Sequence, residues 1–194
     1  MSYCTVWTVL STGPSEIGMA PGKNTRQKIL NAATELAKME GSAHLSLDAV
    51  AARAGISKGG LLYNFPTKSA LLKALVQQYI DDFKIALEEK LRDTKKPLAL
   101  EYLDLIKEEL QQTTPPPSGL LAALAEDPEL MAPIRTFKRE MLDRMSSECD
   151  GKSVLIVFLV LEGLRCEKMF GTEILEKSEY EIVLKSLRDM LQRG

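Results

Sequence analysis

Between Ser46 and Lys68 stand eight residues whose types and spacing suit non-covalent recognition of a polyanion: Ser46, Lys58, Gly59, Gly60, Leu62, Tyr63, Asn64 and Lys68. Most lie in the stretch GISKGGLLYNFPTKSAL, Gly55 to Leu71. A lysine opening a helix can hold a phosphate or a guanine edge. Two adjacent glycines each weaken a helix by roughly 1 kcal/mol relative to alanine, so a helix that keeps them gains something else. Without side chains, Gly59 and Gly60 let the main chain approach a bulky partner and expose amide N–H groups near its phosphates. Tyr63 and Asn64 face away from Leu61 and Phe65, which leaves them available to phosphate, sugar or base edges. Lys68 falls in the first turn of the next helix, where a cation opposes the macrodipole; a DNA backbone would account for it.

Helices must hold these groups in place. Asn24 is expected to open the first, with Gln27 as its capping-box partner, an apolar face of Ile29, Ala33, Leu36 and Ala37, and Gly41 at its end. Ser46 caps a second, short helix and also touches phosphate; Gly55 stops that helix with a sharp turn. The third runs from Lys58 to Asn64, ahead of Pro66. Helix, glycine turn and helix together read as a helix-turn-helix, in which Val50, Ala51, Ile56, Leu61 and Phe65 lock the pair at a steep angle. Thr67 caps a long fourth helix with the stripe Leu72, Leu75, Val76, Tyr79, Phe83, Leu87 and Leu91.

The remainder is expected to be helical: 98–112, a short helix over 120–125 after the break Pro115–Pro116–Pro117–Ser118–Gly119, and a segment capped by Asp127 with Pro128 at its first position. Pro133 must kink or restart that segment, which runs to about Ser147. The run VLIVFLVL could be a buried strand by periodicity alone, but its continuation EGLRCEKMF favours a helix ending at Gly171. Such a helix is apolar all round and so must be buried on every side, one face against its own domain and the other against the same helix of a second copy. Ser178 with Glu181 is expected to cap the last helix, with Val183, Leu184, Leu187, Met190 and Leu191 inside. The expectation is an all-α fold.

The net charge of −2 over 194 residues conceals an asymmetry. Residues 23–68 carry seven Lys or Arg against three acids, a surplus of four, whereas residues 69–194 carry a deficit of five. A basic first third on an acidic body is suited to presenting one end to nucleic acid. At 45% hydrophobic the chain has enough apolar mass for a core. Three cysteines, no signal peptide and no apolar run near the ~20 residues of a membrane span point to a cytoplasmic protein. Catalysis is disfavoured. The one histidine, His44, cannot build a metal cluster, and Gly151–Lys152–Ser153 lacks the upstream glycine of a phosphate loop, with Ser146 in its place. No metal and no cofactor are expected.

From Thr25 to about Leu75 the chain resembles the DNA-binding domain of the tetracycline-repressor (TetR) family, through ILNAATELA, SLDAVAARAGISKGGLLYNF and PTKSALL. Residues 1–22 lack periodicity and contain Pro14, Gly18, Pro21 and Gly22, so they are expected to be a disordered extension. The resemblance implies a helix-turn-helix domain at 23–70 with its motif at 46–65, and a helical ligand-binding and dimerisation domain at 71–194. It implies a homodimeric repressor that leaves a palindromic DNA operator when a small molecule binds. It also places a phosphate contact at Lys68. Leu62 departs from the family, which often has tyrosine there, so a phosphate-binding hydroxyl is lost and an apolar surface gained. By analogy the effector pocket is assigned to Leu103, Ile106, Leu121, Met131, Phe137, Met141, Phe158, Glu162 and Arg165. The alternative reading is an activator, or an architectural DNA-binding protein without a ligand.

Overall fold

A computed structural model of the chain describes residues 21–40, 45–92, 94–111 and 127–193. Among these residues there are eight α-helices and no strands: α1 Pro21–Glu40, α2 Leu47–Ala54, α3 Lys58–Asn64, α4 Lys68–Arg92, α5 Leu98–Gln111, α6 Ala132–Glu148, α7 Gly151–Phe170 and α8 Lys177–Arg193. A 3-10 turn, Pro128–Met131, precedes α6. Gly41, His44, Leu121, the proline break at 115–119 and the expected helix over 120–125 lie outside the described residues, as do residues 1–20 of the expected extension.

Local chemistry sets most of the helix ends. Ser46 accepts from the Ala49 N–H at 3.1 Å and caps α2. At its other end Gly55 takes φ 65°, a left-handed conformation that costs a residue with a Cβ. The Ile56 N–H then reaches the Ala51 carbonyl and the Gly55 N–H the Ala52 carbonyl, each at 3.1 Å, which closes a Schellman motif. Thr67 Oγ1 accepts from the Ala70 N–H at 3.0 Å and starts α4. Asp127 accepts from the Glu129 N–H, and Pro128 opens the 3-10 turn. Pro133 lies in the first turn of α6, where its missing N–H costs nothing, so the segment restarts there.

Two expected starts are corrected. The first helix begins at Pro21, so Asn24 lies inside it, and the Gln27 amide donates to Asn31 Oδ1 one turn on instead of closing a box. The last helix begins at Lys177: Glu179 reaches back to the Glu176 N–H at 2.9 Å, and Ser178 and Glu181 do not form the cap.

The chain divides into two compact units. One comprises the described residues up to Asp82 together with Asp127 to Ile134; the other comprises Phe83 to Gln111 with Arg135 to Arg193. The long helix α4 contributes to both. The first unit's core holds Ile29, Leu36, Val50, Leu61, Phe65 and Leu72, each almost fully buried, with Ile56 packed partly against them. Each such side chain contributes about 1.5–3 kcal/mol on burial, so α3 is held firmly by its inner face.

In the second unit α7 buries Val154, Val157, Phe158 and Leu161. Within one chain only one face of this helix is covered, as expected of a helix whose other face was assigned to a second copy. Leu155, Ile156 and Leu159 on its other face are 46%, 48% and 61% exposed.

Asp82, on α4, carries a pH prediction. Burial, with Asp81 beside it, pushes its carboxyl up to about 6, against an opposing hydrogen bond from Gln78. A raised acid contributes stability below its unfolded value of 3.8 and loses it as pH rises through about 6. Asp82→Asn should therefore stabilise the protein above pH 7, by about 1 kcal/mol once solvent screening of this half-buried group is counted. Chemical denaturation at pH 7.5 and pH 3.5 checks this; the gain should vanish at the lower pH.

Candidate functional site

On α3 the sequence-derived residues part into an inner and an outer set. Leu61 and Phe65 are buried. Tyr63 points the other way and is 90% exposed. Ser57, which sequence reasoning missed, caps the helix: its Oγ accepts from the Gly60 N–H at 3.1 Å. A serine three residues before the second glycine was the available signal. The cap also separates the two glycines. A Cβ on Gly60 would sit 3.3 Å from Ser57 Oγ, so Gly60 is small partly for the sake of its own cap. A Cβ on Gly59 would meet nothing within 4 Å, so nothing among the described residues requires a glycine there. The bare main chain at Gly59 is therefore open to a partner at the start of α3.

Two expectations for this face change in detail. Lys58 is exposed but engaged, with its Nζ 2.9 Å from Asp48 Oδ1 and 3.1 Å from Oδ2. Asn64 is half-buried, and its Nδ2 donates to the Gly60 carbonyl at 2.9 Å, so its amide braces α3 from within. Leu62 and Lys68 are half-buried, and Ser46 is exposed apart from its capping bond. A second ion pair, Arg53 to Glu35 at 2.9 Å, joins α2 to α1. Arg26 lies over the Phe65 ring, 5.0 Å from its centroid, and adds a cation–π contact between α1 and the end of α3.

The second unit holds an aromatic cluster with a charged network at its side. Phe83 lies 5.6 Å from both Tyr102 and Phe137, and Tyr102 stacks on Phe158 at 5.8 Å. Tyr102 OH donates to Glu162 at 2.9 Å, Arg165 donates to Glu162 at 3.0 Å and to Glu109 at 3.1 Å, and Lys138 pairs with Glu162. Arg165 also lies over the Phe83 ring. Burial pushes the Glu162 carboxyl up, but Arg165, Lys138 and Tyr102 together outweigh it and hold it below the usual carboxylate range.

Of the residues assigned to an effector pocket, Phe137, Phe158, Glu162 and Arg165 meet in this cluster. Leu103, Ile106 and Met141 are buried core residues of the same unit. Met131 is half-buried in the first unit, and Leu121 lies outside the described residues. Sequence reasoning missed Phe83 (placed only in a helix stripe), Tyr102, Glu109 and Lys138. No group of His, Cys, Asp and Glu suited to a metal is found among the described residues, nor is any helix long and apolar enough to cross a membrane.

A capped, glycine-bearing second helix in a helix-turn-helix is an arrangement suited to DNA binding. Comparison with known proteins makes this specific. Residues 29–75 match "Bacterial regulatory proteins, tetR family", and residues 96–192 match "Tetracyclin repressor-like, C-terminal domain". The chain belongs to the TetR family of bacterial transcriptional regulators, which bind DNA and are not enzymes. It is 33% identical over 140 residues to the HTH-type transcriptional regulator RutR of Escherichia coli O157:H7, an alignment covering 71% of this chain and 63% of RutR. The chain thus spans less than two thirds of the length of the curated relatives it matches. Among solved structures, a transcriptional regulator from Rhodococcus sp. Rha1 superposes with a TM-score of 0.68 at 19% identity, covering 87% of this chain and 96% of that one. The multidrug binding protein EbrR, complexed with malachite green, gives 0.66 at 22% identity, covering 86% and 97%.

Proposed function

We propose that the protein is a repressor that binds a palindromic operator as a homodimer and leaves it when a small molecule occupies the second unit. One observation carries the reading: α3 is locked by its inner face while its outer face presents Tyr63 and the open Cα of Gly59. In this reading α3 enters the major groove. Ser46, Lys58, Gly59, Gly60, Leu62, Tyr63 and Lys68 make the contacts, and Asn64 stiffens the helix from behind. Dimerisation uses the apolar outer face of α7 and sets the two recognition helices about 34–36 Å apart, one turn of DNA.

The effector in this reading binds at the aromatic cluster of Phe83, Tyr102, Phe137 and Phe158, with Glu162 and Arg165 as its polar anchors. EbrR, which shares the fold, is described in complex with malachite green, and this supports a small-molecule effector here. The helix α4 runs through both units, so a ligand that favours one tilt of it shifts the head spacing and the operator affinity. The setting is the bacterial cytoplasm, at the nucleoid.

The test is to enrich duplexes from a randomised pool, then to repeat the gel shift on the enriched duplex with a metabolite library. Palindromic enrichment and release by at least one metabolite support the reading. Enrichment of no sequence over the starting pool would contradict it.

A further inference from the structure

Asp48 stands where a DNA-binding face gains nothing from an acid. It lies in the first turn of α2, is exposed, and holds the Lys58 ammonium through both carboxylate oxygens at 2.9 and 3.1 Å. Both side chains remain mostly open to solvent, 61% for Lys58 and 67% for Asp48. An exposed pair of this kind adds little to folding stability, and the caps of α2 and α3 come from Ser46 and Ser57 without it. A carboxylate beside a phosphate-seeking lysine lowers the attraction for any duplex. The pair therefore weakens binding, and beyond the roughly 0.3–1 kcal/mol that an acid in the first turn of α2 contributes through the helix dipole it adds little to the fold.

We propose that Asp48 is a positioning and specificity-determining residue, which tethers Lys58 so that its ammonium counts most when the duplex is seated in register. The inference rests on the DNA interface proposed above. Lysine is a point charge on a flexible four-carbon stem. Untethered, it can follow any passing phosphate and add to sequence-independent affinity. Paired with Asp48 next to the open backbone of Gly59, its ammonium is biased toward one position, and a duplex with a phosphate or guanine edge at that position takes it over most readily. Glu35 makes the comparison: it is also an acid paired with a cation of the same unit, Arg53, but its partner joins α2 to α1.

The experiment compares wild type, Asp48→Asn, Lys58→Ala, the double variant and Glu35→Gln. Each is titrated onto a mixed-sequence 30-base-pair duplex and onto the duplex enriched by wild type, from 50 to 200 mM salt. Asp48→Asn should tighten mixed-sequence binding and steepen its salt dependence by about 0.9 in log–log slope, one additional phosphate neutralised. Its advantage should therefore shrink about threefold across that salt range. Affinity for the enriched duplex should rise less, so discrimination falls. In the Lys58→Ala background the Asp48→Asn effect should disappear. An unchanged slope for Asp48→Asn overturns the proposal, and so does an equal effect from Glu35→Gln, which would mean that only overall charge matters. With Tyr63→Ala titrated alongside, a Lys58→Ala that leaves both duplexes unaffected while Tyr63→Ala weakens the enriched one means that the tether is wrong and the interface stands. If neither substitution matters, the interface itself falls. Thermal melts of each variant confirm that the helices remain folded.

Discussion

Replacing Ile156 and Leu159 together by glutamate should give a folded monomer that has lost about a hundredfold or more in operator affinity. Both side chains are about half or more exposed in the single chain, so charging them leaves its core untouched. With Leu155 they form an outer stripe on α7, opposite the buried Val154, Val157, Phe158 and Leu161. A two-fold axis through that stripe would bring four like charges into a dry contact, which strongly disfavours association. A dimer gains operator affinity because its second head binds at high effective concentration, a factor of about 10²–10⁴. Light scattering reads the mass and anisotropy reads the affinity. A variant that stays dimeric would mean the subunits meet elsewhere.

The second large effect is expected of Tyr63→Ala combined with Lys68→Ala. Tyr63 is 90% exposed, so truncating it removes no core contact and its loss should register only at the DNA. Lys68 lies in the first turn of α4, against the helix dipole. Taking each contact as about 1–2 kcal/mol, the double variant should bind the operator about thirty- to a thousandfold more weakly at 150 mM salt. Removing Lys68 should also flatten the salt dependence by about 0.9. Retained affinity together with an unchanged slope would take both residues out of the interface.

What the sequence made legible is what neighbours along the chain decide. Ser46, Gly55, Thr67, Asp127 with Pro128, and Gly171 each act on backbone groups within a turn or so, and each ends or starts a helix as its chemistry requires. The bounds of α3, from Lys58 to Asn64, and the inner set of Val50, Ala51, Leu61 and Phe65 follow from the same short-range pattern. Asn24 and Ser178 misled because capping residues are also tolerated inside a helix. Pro21 already starts the first helix, and Glu179 supplies the closing bond of the last.

Partners across the chain were not legible. Periodicity says which face of a helix is buried but not what it meets, so Lys58 to Asp48, Arg53 to Glu35 and Tyr102 to Glu162 had no sequence signal. The apolar run of α7 was read as needing cover from a second copy, and only the fold separates its inner residues from its outer ones.

Gly59→Leu tests the central claim most directly, through thermal stability and operator affinity measured on the same sample. The free protein has open space where the new side chain begins, and a leucine in place of glycine favours the helix by about 1 kcal/mol. If a duplex rests against that bare main chain, the variant should melt higher and bind its operator at least about tenfold more weakly. A variant that melts higher and binds as tightly as wild type would contradict the account.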